Sequence, residues 1–301
     1  MSRVLNPIML VLILALFVGG GYLFATRGAG LLASPSLALP TDPIALCAGL
    51  PRAEPPPAPA IKNGPLVSFN FDDGFISAYE YGIPIINAAG FPVSMYVITG
   101  DLSSPYPGQM SLEQVKALEA AGNEIGAHTR THPYLTDISQ AQALEEICGS
   151  RFDLLNAGVH ATTFSYPEGS STPMIEDVVR SAGFLAARNT KAGLDHAATD
   201  PFELRSYQVT ARSSFSEVRS VIDQAITHKE WLILSFHRID EEGNAVSVPH
   251  QLIQQIVSYV KEQKVPVVTN AQGIALKSRI TNAKDSLELL SEASSTPISG
   301  P

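Results

Sequence analysis
The sequence predicts an α/β fold in which a parallel sheet, covered by helices, closes as a TIM-like barrel. Three observations predict it. Between residues 61 and 279, short apolar runs of strand length alternate with amphipathic stretches of helix length, the pattern of parallel strands joined by crossover helices. Seven or so such units recur, which suits a closed barrel better than an open sheet. Polar, chemistry-bearing residues stand where the apolar runs stop, and such a barrel keeps its chemistry at the C-terminal ends of its strands.

The elements follow in order. Leu66–Phe71 reads as a first strand and is followed by a helical stretch to Ala89. Pro92–Ile98 reads as the second strand. Ser111–Ala121 reads as a helix, with Ser111 as N-cap and Gly122 as its stop. Glu124–His128 is the third strand. Gln140–Asn156 carries apolar residues at Ala143, Leu144, Ile147, Phe152 and Leu155, a helical spacing. Thr162–Tyr166, Phe184–Arg188 and Arg205–Val209 read as the fourth, fifth and sixth strands, with a helix at Pro173–Ala182 between the first two of these. Ser214–His228 is a helix, and Trp231–Phe236 a strongly apolar strand. Gln251–Gln263 is a helix, and Val265–Thr269 the last strand.

The flanks differ in kind from the body. Pro7 to Ala25 holds no charged residue, close to the roughly 20 apolar residues that span a bilayer. A cleaved signal peptide has a shorter apolar core, about 7–15 residues. The length favours an uncleaved anchor within residues 1–27, while Gly19, Gly20 and Gly21 keep the cleaved reading open. Either reading places the rest of the chain outside the cytoplasm. Residues 28–60, with Pro40, Pro43, Pro51, Pro55, Pro56, Pro57 and Pro59, read as an extended, unpacked linker. Residues 280–301 read as a poorly ordered tail. Only Cys47 and Cys148 occur, so a disulfide scaffold is excluded and their pairing is open. A net charge of −9 argues against a nucleic-acid partner, which needs a basic face.

Four strand ends carry chemistry. The first ends in Phe71-Asp72-Asp73-Gly74, where two adjacent carboxylates each raise the other's pKa unless a cation is near. The third leads into His128-Thr129-Arg130-Thr131-His132-Pro133, a histidine pair at metal-ligand spacing. The fourth ends in Tyr166-Pro167-Glu168-Gly169, and Trp231–Phe236 ends at His237. One carboxylate and two imidazoles make a ligand set that leaves positions open for water and substrate, as a catalytic metal requires. A second carboxylate beside it can act as base, and a histidine opposite as acid.

With these motifs in this order, residues 65–272 resemble the polysaccharide deacetylases, carbohydrate esterase family 4. The residues that carry the resemblance are Asn70-Phe71-Asp72-Asp73-Gly74, His128-Thr129-x-x-His132-Pro133, Phe164-Ser165-Tyr166-Pro167-Glu168-Gly169 and Leu232-Ile233-Leu234-Ser235-Phe236-His237. The resemblance implies a distorted, incomplete (β/α) barrel and metal-dependent removal of N-acetyl or O-acetyl groups from a polysaccharide. It implies Asp73, His128 and His132 as ligands of a divalent metal, zinc by expectation. It further implies Asp72 as general base, His237 as general acid, and a backbone N–H near Glu168 in the oxyanion site, with Tyr166, Pro167, Glu168 and Gly169 as substrate-binding residues.

Three positions depart from the family pattern. Ser165 stands where the third motif often begins with an arginine that pairs with the catalytic aspartate. Arg205 is a candidate for that missing charge. Ser235 replaces a usual leucine, which suggests a more polar acetyl pocket. Glu168 replaces a common aromatic, at a loss of sugar stacking. A glycan-binding chain without catalysis and a metal hydrolase of small amides or esters remain as alternatives. His160, His196, His228 and His250 read as ordinary surface or loop residues.

Overall fold
The computed structural model describes residues 42–278, apart from 58, 62, 63, 103, 104 and 106. The expected membrane or signal segment, the first part of the expected linker and the expected tail lie outside these residues. Among the described residues, no helix is long and apolar enough to cross a membrane.

The chain order is α1 (Pro43–Ala48), β1 (Leu66–Phe71), a π-helical turn (Ala78–Gly82), α2 (Ile83–Ala88), β2 (Val93–Val97), the short α3 (Thr99–Leu102) and α4 (Leu112–Ala120). It continues with β3 (Glu124–Ala127), α5 (Gln140–Asn156), β4 (Thr163–Ser165), α6 (Pro173–Ser181), β5 (Ala186–Arg188) and β6 (Tyr207–Gln208). Then come α7 (Phe215–His228), β7 (Trp231–Phe236), the short pair β8 (Arg238–Ile239) and β9 (Ser247–Val248), and α8 (His250–Glu262), with a further helical stretch at 270–278.

Seven strands form one parallel sheet in the order β5-β4-β3-β2-β1-β7-β6. The sheet curls on itself. Residues 204–208 link its two edges: Leu204 N–H donates to Ala187 (3.0 Å) and Asn189 N–H to Leu204 (2.8 Å), while Tyr207 pairs with Leu234. The result is a distorted barrel one strand short of eight. The sixth strand is shorter than expected, because Leu204 turns to β5 before β6 reaches β7. The expected last strand at 265–269 reduces to one bridge, Val67 to Val267. Pro266 has no N–H to extend the ladder there.

Strand alternation sets the two faces of the sheet. Val67, Phe69 and Phe71 of β1 belong to the hydrophobic core beneath the helices, where Phe69 and Phe71 stack on Phe236. The alternate residues Ser68 and Asn70 are buried on the other face, and Asp72 follows them at its rim. Helix ends are fixed by side chains: Ser111, Ser139 and Ser214 each form a capping box with the residue three positions on. After β1 the helix opens as a π-turn before α2, since Pro84 lacks the N–H that an unbroken α-helix would need there.

The linker expectation fails between Asp42 and Ala53. Asp42 accepts from Ile44 N–H at 3.0 Å and Pro43 occupies the first helical turn, so α1 forms. Leu46 and Cys47 are buried against α5 and α6. The buried Arg151 of α5 donates to the carbonyls of Pro51 and Ala182, both at 2.6 Å, and Ala53 N–H donates to Gly183 at 2.8 Å. Cys47 and Cys148 form a disulfide, Cα to Cα 5.2 Å, across 101 residues of sequence. Cys148→Ser is expected to cost about 2–4 kcal/mol of stability, read as a lowered denaturation midpoint that reductant no longer shifts.

Candidate metal centre
Asp73, His128 and His132 meet at the C-terminal rim of β1 and β3. Their ligand atoms all lie within 4.8 Å of one another. Asp73 Oδ1 is 3.4 Å from His128 Nε2 and 3.5 Å from His132 Nε2. That oxygen is buried and accepts no hydrogen bond. An acceptor left bare between two imidazole nitrogens fits a divalent cation, which would hold all three.

Each ligand is oriented by something behind it. His128 is 2% exposed, and its Nδ1 lies 2.8 Å from the Ser165 carbonyl, which turns Nε2 toward Asp73. The loop from Thr129 to His132 is clamped to α5. Glu146 accepts from the backbone N–H groups of Arg130 (2.8 Å) and Thr131 (2.9 Å). Arg130 forks onto Asp153 with two bonds of 2.8 Å and lies over Gly149, where a Cβ would come within 2.4 Å of the guanidinium. Asp73, Thr129, His132 and Glu168 all have left-handed backbones, with φ between 54° and 69°. Such conformations are unfavourable for non-glycine residues, and here they gather at one site.

Asp72 sits beside the centre, 3% exposed. Arg188, at the end of β5, donates from Nη2 to both carboxylate oxygens at 2.5 Å and to Ser165 Oγ at 2.6 Å. Burial alone would raise the Asp72 pKa, but the charges of Arg188, His128 and His237 outweigh it and hold it below the ordinary value. Asp73 is lowered to about 2 against the same burial, by the adjacent His128 and by the charges of His237 and His132. Burial would lower His128, yet Asp73 and Asp72 raise it, whereas burial and then the His128 charge lower His132. The charge of His237, half-buried at the end of β7, acts on both aspartates.

The partner of Asp72 is therefore Arg188 and not Arg205. Arg205 is exposed, its N–H donates to Asp195, and its side chain lies against Gly193. Ser165 and Arg188 are register partners across β4 and β5. The guanidinium thus arrives from the neighbouring strand, directly opposite the departing position. Ser235 is wholly buried and its Oγ meets Ser206 Oγ at 3.4 Å, so it faces the barrel interior.

The fourth strand end divides its labour. Tyr166 is 1% exposed and donates its hydroxyl to the Phe202 carbonyl, and Pro167 is buried. Their side chains hold the loop and do not face the rim, contrary to the expected substrate contacts. Gly169 packs so closely on Thr190 that a Cβ would lie 2.1 Å from its hydroxyl. Tyr166, Gly169 and Ser170 donate their N–H groups to Arg188, Tyr166 and Pro167 carbonyls. Among the described residues, the Glu168 N–H donates to none. A groove of about 540 Å³ adjoins the centre, lined by Asp73, Phe75, Ile98, Gln109, Arg130 and His132 among others.

Comparison with known proteins is consistent with this geometry. The family profile described as polysaccharide deacetylase matches residues 60–187. Two curated relatives match: "Gellan lyase" of a Bacillus species, 25% identical over 197 residues, and "Putative polysaccharide deacetylase YxkH" of Bacillus subtilis, 23% identical over 158 residues. The matches cover 60% and 52% of this chain, and the chain spans 8% and 56% of the lengths of these relatives. Among solved structures, a "putative polysaccharide deacetylase from Mycobacterium smegmatis" shares the fold, with a TM-score of 0.55 at 14% identity. That match covers 77% of this chain and 96% of the other.

Proposed function
We propose that this chain, a member of the polysaccharide deacetylase family, hydrolyses N-acetyl groups on a polysaccharide outside the cytoplasm. The observation that carries the reading is the Asp73–His128–His132 set with the Asp72–Arg188 pair at its side. A divalent ion in that set, zinc in this reading, would polarise the acetyl carbonyl and lower the pKa of a water.

The chain's own groups supply the rest. Asp72 takes a proton from the attacking water, so it must be ionised, and Arg188 keeps it so. The Glu168 N–H is available to the developing oxyanion. His237 gives a proton to the leaving nitrogen, which departs poorly as an anion. Arg188 supplies the charge beside Asp72 that Ser165 cannot, which supports catalysis over glycan binding alone.

The location rests on two further supports. The apolar run at 7–25 reads as an anchor or signal, and the Cys47–Cys148 disulfide suits an oxidising compartment. As an anchor, the run would hold the catalytic domain at the outer membrane surface. The test is acetate release by the metal-loaded chain from N-acetylglucosamine oligomers, peptidoglycan and acetylated xylan. Acetate from the N-acetylated substrates is expected. Acetate from xylan alone would replace amide by ester chemistry, and none from any substrate would remove the reading.

A further inference from the structure
Two exposed side chains beside the centre take no part in the chemistry above. Tyr134, two residues beyond His132, is 53% exposed, against the usual burial of so large a ring. Glu168 is exposed, and among the described residues its carboxylate has neither a hydrogen-bond donor nor a Lys or Arg partner, while its charge acts on His132. The loops that carry them are tied together: Thr136 Oγ1 and Ser170 Oγ lie 2.8 Å apart. Tyr134 and Glu168 each stand two residues from that contact, hence within about 7 Å of it along the backbone. Leu135 is fully buried and Gly169 is wedged on Thr190, so neither loop is free to carry its side chain away.

We infer that Tyr134 and Glu168 form a sugar subsite flanking the metal centre, one that takes a glucosamine unit with a free ammonium in a partly deacetylated chain. The inference rests on the proposed action on an N-acetylated polymer. Tyr134 offers an amphipathic ring on which a pyranose face can stack, replacing the platform lost where Glu168 stands. The Glu168 carboxylate accepts a charge-assisted hydrogen bond from the ammonium. An N-acetyl group carries no charge there, so the subsite favours units that the enzyme has already processed. The chain would then move along a polymer with its products held beside the centre.

The test is calorimetric titration of the zinc-loaded full chain with the fully deacetylated glucosamine tetramer, below neutral pH, at low and high salt. Glu168→Gln is expected to weaken binding at low salt by about five-fold and to reduce its salt dependence by the share of one exposed ion pair. Tyr134→Ala is expected to weaken it about ten-fold at both salts, and Tyr134→Phe to restore it, since stacking needs the ring and not the hydroxyl. Wild-type affinity in both Glu168→Gln and Tyr134→Ala would overturn the subsite. Acetate release without glucosamine binding would remove the subsite and keep the reaction. Glucosamine binding without acetate release would do the reverse.

Discussion
Asp72→Asn is expected to keep its metal and lose turnover by about 10²–10⁴-fold, the usual yield of a positioned general base. The amide preserves the shape and can still meet Arg188, but it cannot accept the water's proton. Asp72 is not one of the three clustered ligands, so metal content should stay at one ion per chain. Asp73→Ala should behave differently, since it removes the oxygen that lies between both histidines. Metal analysis beside a turnover assay separates the two. Normal turnover in Asp72→Asn would rule that residue out as base, and metal loss would make it a ligand.

Arg188→Gln is the second large effect. The Asp72 carboxylate is fully buried, and burial by itself raises its pKa. Arg188 is the strongest of the charges that reverse this. Without it the folded-state pKa rises, the ionised fraction falls, and the acid limb of kcat/KM moves to higher pH. Turnover near neutrality should fall about 10²-fold or more. Breaking a buried pair also destabilises, by about 3–5 kcal/mol, so the denaturation midpoint must be followed in parallel. The double variant Ser165→Arg with Arg188→Ser should recover part of the activity, because the two positions face each other across β4 and β5. Arg205→Ala should leave the acid limb in place. An unmoved acid limb in Arg188→Gln would contradict the assignment.

Much of this arrangement is legible in the sequence, and the reasons are physical. Leu66–Phe71, Gln140–Asn156 and Trp231–Phe236 form the elements that their periodicity predicts, with the same bounds. Long apolar runs and capped helices are local features, and local patterning decides them. Asp72, Asp73, His128, His132 and His237 stand out because they end strands or lie in the loop just beyond one, and the barrel brings strand ends together. Arg188 also ends a strand, but its function depends on which strand neighbours which, and on the register between them. Neither is written in one strand's own pattern. The reverse holds for Tyr166, whose place in a recognisable motif suggests a substrate contact while its ring fills the core. The helix α1 was hidden by its setting. Prolines that signal an extended spacer elsewhere start a helix when an aspartate caps it. The Cys47–Cys148 pairing is likewise tertiary, since 101 residues separate the two.

Fold and site are coupled through α5. One face of that helix carries Glu146, Gly149 and Asp153, which hold the histidine loop, and its Cys148 is tied to α1. The segment that joins the body to residues preceding Asp42 is therefore braced against the same helix that holds the loop carrying His132.

The most direct test of metal-dependent deacetylation is acetate release from N-acetylglucosamine oligomers by chain stripped with chelator and then titrated with zinc. The expected result is no acetate from the stripped protein and a rate that climbs with zinc to a plateau at one ion per chain. The Asp73→Ala protein should show no such titration. Full activity in the stripped protein, or none after zinc is restored to a folded chain, would contradict the central claim.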